Sequence, residues 1–190
     1  MIRLSQVPDP NNPVLLCIAG NLCDPSVAFE RIAPAEGFQK IDLHYLNGSG
    51  PCTIGHGNPR FAQELKESFH DEAYMRGFLS SCFYKPIPKE VEDRLWNYTR
   101  TTDPLAGYEL SSSLRQNDYR ESLKAYHGPV AVIHGQLDTR RKMDSVTMIC
   151  ESLPQAKVTL LQTGHTPMWE DAAGYQTALN ELLREAGKAK

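Results

Sequence analysis

No run of eighteen apolar residues occurs in the 190-residue chain, so no stretch reads as a membrane-spanning helix. The opening MIRLSQVPDPNNP lacks the apolar core of a secretory leader, and a cytoplasmic protein that does not engage membranes is the expectation. Cysteine is sparse and odd in number: Cys17, Cys23, Cys52, Cys82 and Cys150 form no CxxC pair and have no histidine at ligand spacing. That argues against a disulfide framework and against a zinc site, and for reduced thiols. A large excess of one charge is missing too. With a net charge of −3 there is no basic surface of the kind that neutralises phosphates, so nucleic acid is not an expected partner. Internal repeats, low-complexity segments and glycine-serine linkers longer than NGSG (residues 47–50) are absent as well.

What is present suffices for one sizeable core. Apolar residues make up 41% of the chain, and its length suits one domain, residues 1–190, better than two. PVLLCIAG (13–20) is a continuous apolar run bounded by Pro and Gly, the pattern of a strand buried on both faces. Pro25 and Ser26 open a helix expected to run through Ile32, and GFQKIDLHY (37–45) alternates as a second strand. Strand, helix and strand within about thirty residues form a βαβ unit, whose strands are parallel. The C-terminal third repeats the pattern: GPVAVIHG (128–135), DSVTMICESLP, AKVTLLQTG, then EDAAGYQTALNELLREAG. In the last segment Ala173, Tyr175, Ala178, Leu179, Leu182 and Leu183 fall near 3.6-residue spacing, with Gly187 as the expected cap. Residues 60–124 contain no convincing strand and read as helices, with Pro88 placed to start one of them. A helical stretch between two α/β parts reads as a lid over a site, or as helices packed on a sheet face.

Ligands of parallel sheets collect beyond the carboxyl ends of the strands, which directs attention to AGNLCD (19–24), LHYLNGSG (43–50), HGQLDTRR (134–141) and TGHTPMWE (163–170). Asp138 follows one strand and His165 the next. A carboxylate there would fix one ring nitrogen and stabilise the imidazolium that forms when the other takes a proton from a hydroxyl or thiol. Taken singly, Asp138 is also an ordinary turn residue and His165 an ordinary loop histidine. Met168 and Trp169 would line an acyl pocket or belong to the core. Arg140 and Arg141 would hold a substrate carboxylate or form a solvated basic pair.

GPVAVIHGQLD followed by MICESLPQAKVTLLQTGHTPMWEDAAGYQTALNELL closely resembles the C-terminal portion of α/β-hydrolase-fold enzymes, and PVLLCIAGNLCDPSVAFERI resembles their oxyanion-loop region. The likeness covers residues 13–45 and about 74–186. It implies an α/β fold, a mostly parallel sheet flanked by helices with a helical lid near 60–124, and hydrolysis of small carboxylic esters or related acyl substrates. It also implies Asp138 as the triad acid, His165 as the base, and the backbone N–H of Asn21 as an oxyanion donor, with Leu22 beside it and Trp169 on the substrate side. Ala19 stands where many members have histidine, a change that a main-chain donor survives. Neither a metal nor an organic cofactor is implied; the partner is a small-molecule substrate.

The superfamily carries its serine on a G-x-S-x-G elbow, and this sequence has none. Chain order leaves residues 46–73 for the nucleophile. Ser49 has glycines at −1 and +1 instead of −2 and +2, yet is the best candidate. Cys52 has Gly50 at −2 but Ile54 at +2, and its thiol would need activation. A third reading sets Gly57 where serine belongs and makes the protein inactive. Superfamily members commonly run to about 250 residues, so a shortened or degenerate chain is a further expectation: the elbow strand, its helix and the next strand would be missing. Loss of central strands would expose edges that a second chain can cover in a homodimer. The rival to an enzyme is therefore an inactive α/β-hydrolase-like protein that binds a ligand or partner without the nucleophile.

Overall fold

The computed structural model describes residues 3–7, 9–11, 13–20, 23–34, 37–48, 60–116 and 118–188. The N-terminal part contributes strands β1 (Arg3–Leu4), β2 (Val14–Gly20) and β3 (Gln39–Gly48), with the one-turn helix α1 (Pro25–Ala28) between the last two. Strand β2 runs parallel to β3 from Val14↔Gln39 to Ile18↔Leu43, and after an irregularity Gly20 faces Gly48. The two-residue β1 pairs antiparallel with the other edge of β3, a pairing too short to leave a periodic signal in the sequence.

Helix α1 is shorter than the sequence suggests. Asp24 caps it, its carboxylate accepting from the Ser26 N–H at 2.9 Å, and Pro25 sits in the first turn. Val27, Ala28, Phe29 and Ile32 are all buried. At 100° per residue those four would spread over about 200° of a continuing helix, more than one face can bury. The chain turns after Ala28 instead, and all four reach the interior.

Residues 60–124 are helical, as their pattern predicts: α2 (Phe61–Glu67), α3 (Glu72–Ser80), α4 (Lys89–Thr99), α5 (Pro104–Gln116) and α6 (Arg120–Lys124). Asp71 caps α3 by accepting from the Tyr74 N–H at 3.0 Å, and Pro88 stands at the N-cap of α4. Met75 and Leu79 of α3 and Val91, Leu95 and Trp96 of α4 face inward at helical spacing. Arg76 fastens the pair through Asp93 at 2.7 Å.

The C-terminal part is β4 (Ala131–Gly135), α7 (Met143–Ser152), β5 (Lys157–Leu161), α8 (Pro167–Glu170) and α9 (Ala172–Lys188). Strands β4 and β5 are parallel and in register from Ala131↔Lys157 to Gly135↔Leu161. Helix α9 continues to Lys188, so Gly187 lies within it and does not cap it. Among the described residues the strands fall in two sheets, ordered β1-β3-β2 and β4-β5. The helical segment supplies no strand to join them. Among the described residues, one edge of β2 and one edge of β4 have no strand partner.

Two apolar clusters hold the parts together. One joins Val27, Leu65, Phe69, Met75, Leu79, Val91, Leu95, Trp96 and Trp169, so the helical segment shares a core with α1 and α8. The other sets Cys17, Ala28, Phe29 and Ile32 against Leu179 of α9. A fully buried Leu or Ile contributes about 1.5–3 kcal/mol. With Leu65, Met75 and Leu95 at 2% exposure or less, the helical segment is anchored at its base.

Candidate active site

The turns that leave β4 and β5 are stitched by their main chains. Gln136 N–H donates to the Leu161 carbonyl at 2.8 Å, Leu137 N–H to the Thr163 carbonyl at 3.0 Å, and Asp138 N–H back to the Gly135 carbonyl at 3.1 Å. A Cβ at Gly135 would overlap the carbonyl oxygens of Gly164 and Thr163. Only glycine lets the two turns approach so closely.

That approach brings Asp138 and His165 together. Asp138 Oδ2 lies 2.7 Å from His165 Nδ1, and Oδ1 accepts the backbone N–H groups of Arg140 at 2.7 Å and Arg141 at 2.9 Å. The Asp138 side chain is 2% exposed and that of His165 38%. Burial is the largest influence on Asp138 and opposes its charge. The hydrogen bond and charge of His165, with the two backbone donors, outweigh burial and hold the carboxyl below the usual carboxylate range. A carboxylate only accepts, so Nδ1 carries the proton and the Nε2 lone pair is turned away from Asp138. No described residue hydrogen-bonds Nε2. The arrangement can therefore take a proton at Nε2 and steady the resulting imidazolium.

The backbone of His165 is held from the helical segment, its N–H donating to the Cys82 carbonyl at 3.0 Å. Glu170 reinforces the tie, accepting from Gly164 N–H at 2.9 Å, Thr166 Oγ1 at 3.2 Å and Tyr84 N–H at 3.0 Å. Arg140 reaches the same segment: Nη1 donates to Ser81 Oγ at 2.7 Å, and the guanidinium lies 4.3 Å from the Phe78 ring centre. Neither a solvated pair nor a free anion-binding fork describes it.

Trp169, placed on the substrate side by resemblance, is 7% exposed and belongs to the core. Its indole N–H donates to Glu30 Oε1 at 3.0 Å, Arg31 stacks on the ring at 3.6 Å, and Phe83 meets it edge-on at 5.4 Å. Two cysteines border the site as inert thiols. Burial, then Cys82 and Asp24, pushes Cys23 up to about 12, and burial likewise raises Cys82 against the pull of Arg140. The candidate nucleophiles Ser49 and Cys52 lie outside the described residues, as do Asn21 and Leu22 on the oxyanion side. Among the described residues, no group of three or more His, Cys, Asp or Glu side chains could hold a metal ion, and no helix is long and apolar enough to cross a membrane.

Sequence reasoning missed Glu170 and the Cys82 carbonyl. A carbonyl has no residue signature; Glu170 follows Thr166 by four, where a capping-box pattern would place the acid three residues on.

No family model matches the chain, and no curated protein matches it. Solved structures do. An esterase from Exiguobacterium antarcticum superposes with a TM-score of 0.77 at 12% identity, over 96% of this chain and 95% of that one. An enol-lactonase from Burkholderia xenovorans gives 0.73 at 14%, over 97% and 96%. A hydrolase from Oleispira antarctica gives 0.72 at 14%, over 96% and 94%. The chain has the α/β-hydrolase fold.

Proposed function

We propose that the protein is a hydrolase of small carboxylic esters or related acyl substrates, with His165 as general base and Asp138 as the group that orients it. The observation that supports this best is the 2.7 Å bond between Asp138 Oδ2 and His165 Nδ1 at the ends of neighbouring parallel strands. In this reading Ser49 supplies the hydroxyl. His165 Nε2 takes its proton as the oxygen attacks the ester carbonyl, and the backbone N–H of Asn21 steadies the oxyanion. Collapse of the tetrahedral species expels the alcohol, which leaves with the proton from the imidazolium. Water then repeats the sequence on the acyl-enzyme and releases the acid. Helices of residues 60–124 roof the site, and the substrate enters beside the exposed ring of His165.

A p-nitrophenyl ester assay tests the reading. Wild-type turnover should exceed the buffer blank, fall on the order of 10⁶-fold in His165→Ala and about 10⁴-fold in Asp138→Asn, which disturbs the tautomer. Unchanged turnover in His165→Ala sinks it.

One observation favours a second reading, an inactive protein that binds a ligand or partner. β2 and β4 each keep an open edge among the described residues, and Val14, Leu16, Val158 and Leu160 are 39–46% exposed on strands that parallel sheets normally cover. Loss of an elbow strand and its helix would leave that surface. No turnover with retained binding of an ester analogue would establish this reading and remove the first.

A further inference from the structure

Resting on the hydrolase reading, we infer that Glu170 is the positioning residue for His165, locking the base to the α3–α4 connection. The base sits on a short turn, and Asp138 fixes only one ring nitrogen. What sets where Nε2 points is the backbone of residues 164–166, and that backbone is held from the connection at residues 82–84. Cys82 provides one tie, its carbonyl accepting the His165 N–H at 3.0 Å. Glu170 adds more: Oε1 takes Gly164 N–H at 2.9 Å, Oε2 takes Tyr84 N–H at 3.0 Å, and the Thr166 hydroxyl lies between Oε1 at 3.2 Å and the Cys82 carbonyl at 3.3 Å. The donors flank His165 on both sides and include the opposite wall.

The chemistry of the three donors selects a carboxylate. Both oxygens must accept, and an amide offers one acceptor and one NH₂ group, which would meet an N–H or O–H head-on. The packing leaves no slack either, since a Cβ at Gly164 would come within 2.6 Å of Tyr84 N and 3.0 Å of Glu170 Oε1. Glu170 hydrogen-bonds neither Asp138 nor the imidazole. It acts through the turn, so its loss tilts the base without removing it.

Glu170→Gln, nearly isosteric, is the test, with Asp171→Asn as a matched control. Asp171 accepts the Gly174 N–H at 2.9 Å in the next helix and has no tie to the turn. Two readouts are followed beside the melting temperature: the low-field proton resonance of His165 Nδ1–H, identified by its absence in His165→Ala, and kcat and KM on a p-nitrophenyl ester. The expected result for Glu170→Gln is a shifted or broadened resonance and kcat down about 10- to 100-fold with KM within about threefold, as for a misplaced catalytic group. The control should leave the resonance in place and the melting temperature little changed, since an asparagine oxygen still accepts the Gly174 N–H. Should Glu170→Gln not fold, Thr166→Val removes the hydroxyl that Glu170 shares with the Cys82 carbonyl and should move the resonance in the same direction by less. A wild-type resonance in folded Glu170→Gln or Thr166→Val overturns the inference. If the wild type shows no turnover, the hydrolase reading fails, while the resonance alone still decides the role of Glu170.

Discussion

The two parallel strand pairs differ in regularity: β4 and β5 keep register without a break from Ala131↔Lys157 to Gly135↔Leu161, whereas β2 and β3 lose it between Ile18 and Gly20. At the C-terminal pair, Gln136, Leu137 and Asp138 are tied back to the strand ends within 3.1 Å, and the side chains of Asp138 and His165 meet across the join. At the N-terminal pair the last described register is Gly20↔Gly48, beyond an irregularity. An acid-base pair needs only two adjacent strands and the glycines that let their turns cross, all within residues 131–170. A nucleophile elbow needs a strand between β2 and β4, which no described residue supplies. The Asp138–His165 pair is thus assembled by the C-terminal strands and their turns alone.

Glycine substitution sharpens that contrast most strongly. Gly135→Ala forces a methyl group into two carbonyl oxygens, and should destabilise the fold by about 3 kcal/mol or more in urea unfolding, near the upper range for single substitutions. Gly37 has φ +77° with open space around it, and its alanine variant should cost only about 1–2 kcal/mol, the strain of a left-handed residue. Similar losses at the two sites would show that the close crossing of the turns is not what holds the C-terminal half.

A smaller effect follows from the carboxyl of Asp138. Its pKa in the folded protein lies below the ordinary 3.8. The native state therefore binds fewer protons than the unfolded chain, and stability rises with pH through this window. The contribution is whole above the ordinary value and is lost as pH falls through the lowered one. Unfolding free energies between pH 5 and 2 (a range of about three units around the carboxylate value) should slope less steeply in Asp138→Asn. Parallel slopes would mean that the carboxylate is not held by His165 in solution.

Much of the fold is legible because its signals are local. Continuous apolar runs closed by Pro or Gly mark β2 and β4, and the 3.6-residue spacing that buries Ala178 and Leu179 marks α9. The grouping of the described strands into β1-β3-β2 and β4-β5 is not legible, since strand pairing depends on residues far apart in sequence. Neither is the short α1, whose ending follows from four buried side chains that no single helical face accommodates. For the site, the order of Asp138 and His165 after successive strands carries the chemistry to the surface of the sequence. Trp169 shows the limit: composition cannot tell a pocket wall from a core residue, and here the indole is committed to Glu30, Arg31 and Phe83.

The most direct measurement is covalent labelling by a fluorophosphonate, which phosphonylates a hydroxyl only when a neighbouring base activates it, followed by mass-spectrometric location of the adduct. A single adduct on Ser49 in the wild type, lost in His165→Ala, is the predicted result. No adduct at saturating probe, or an adduct that persists unchanged in His165→Ala, would contradict the claim that His165 and Asp138 serve a nucleophile.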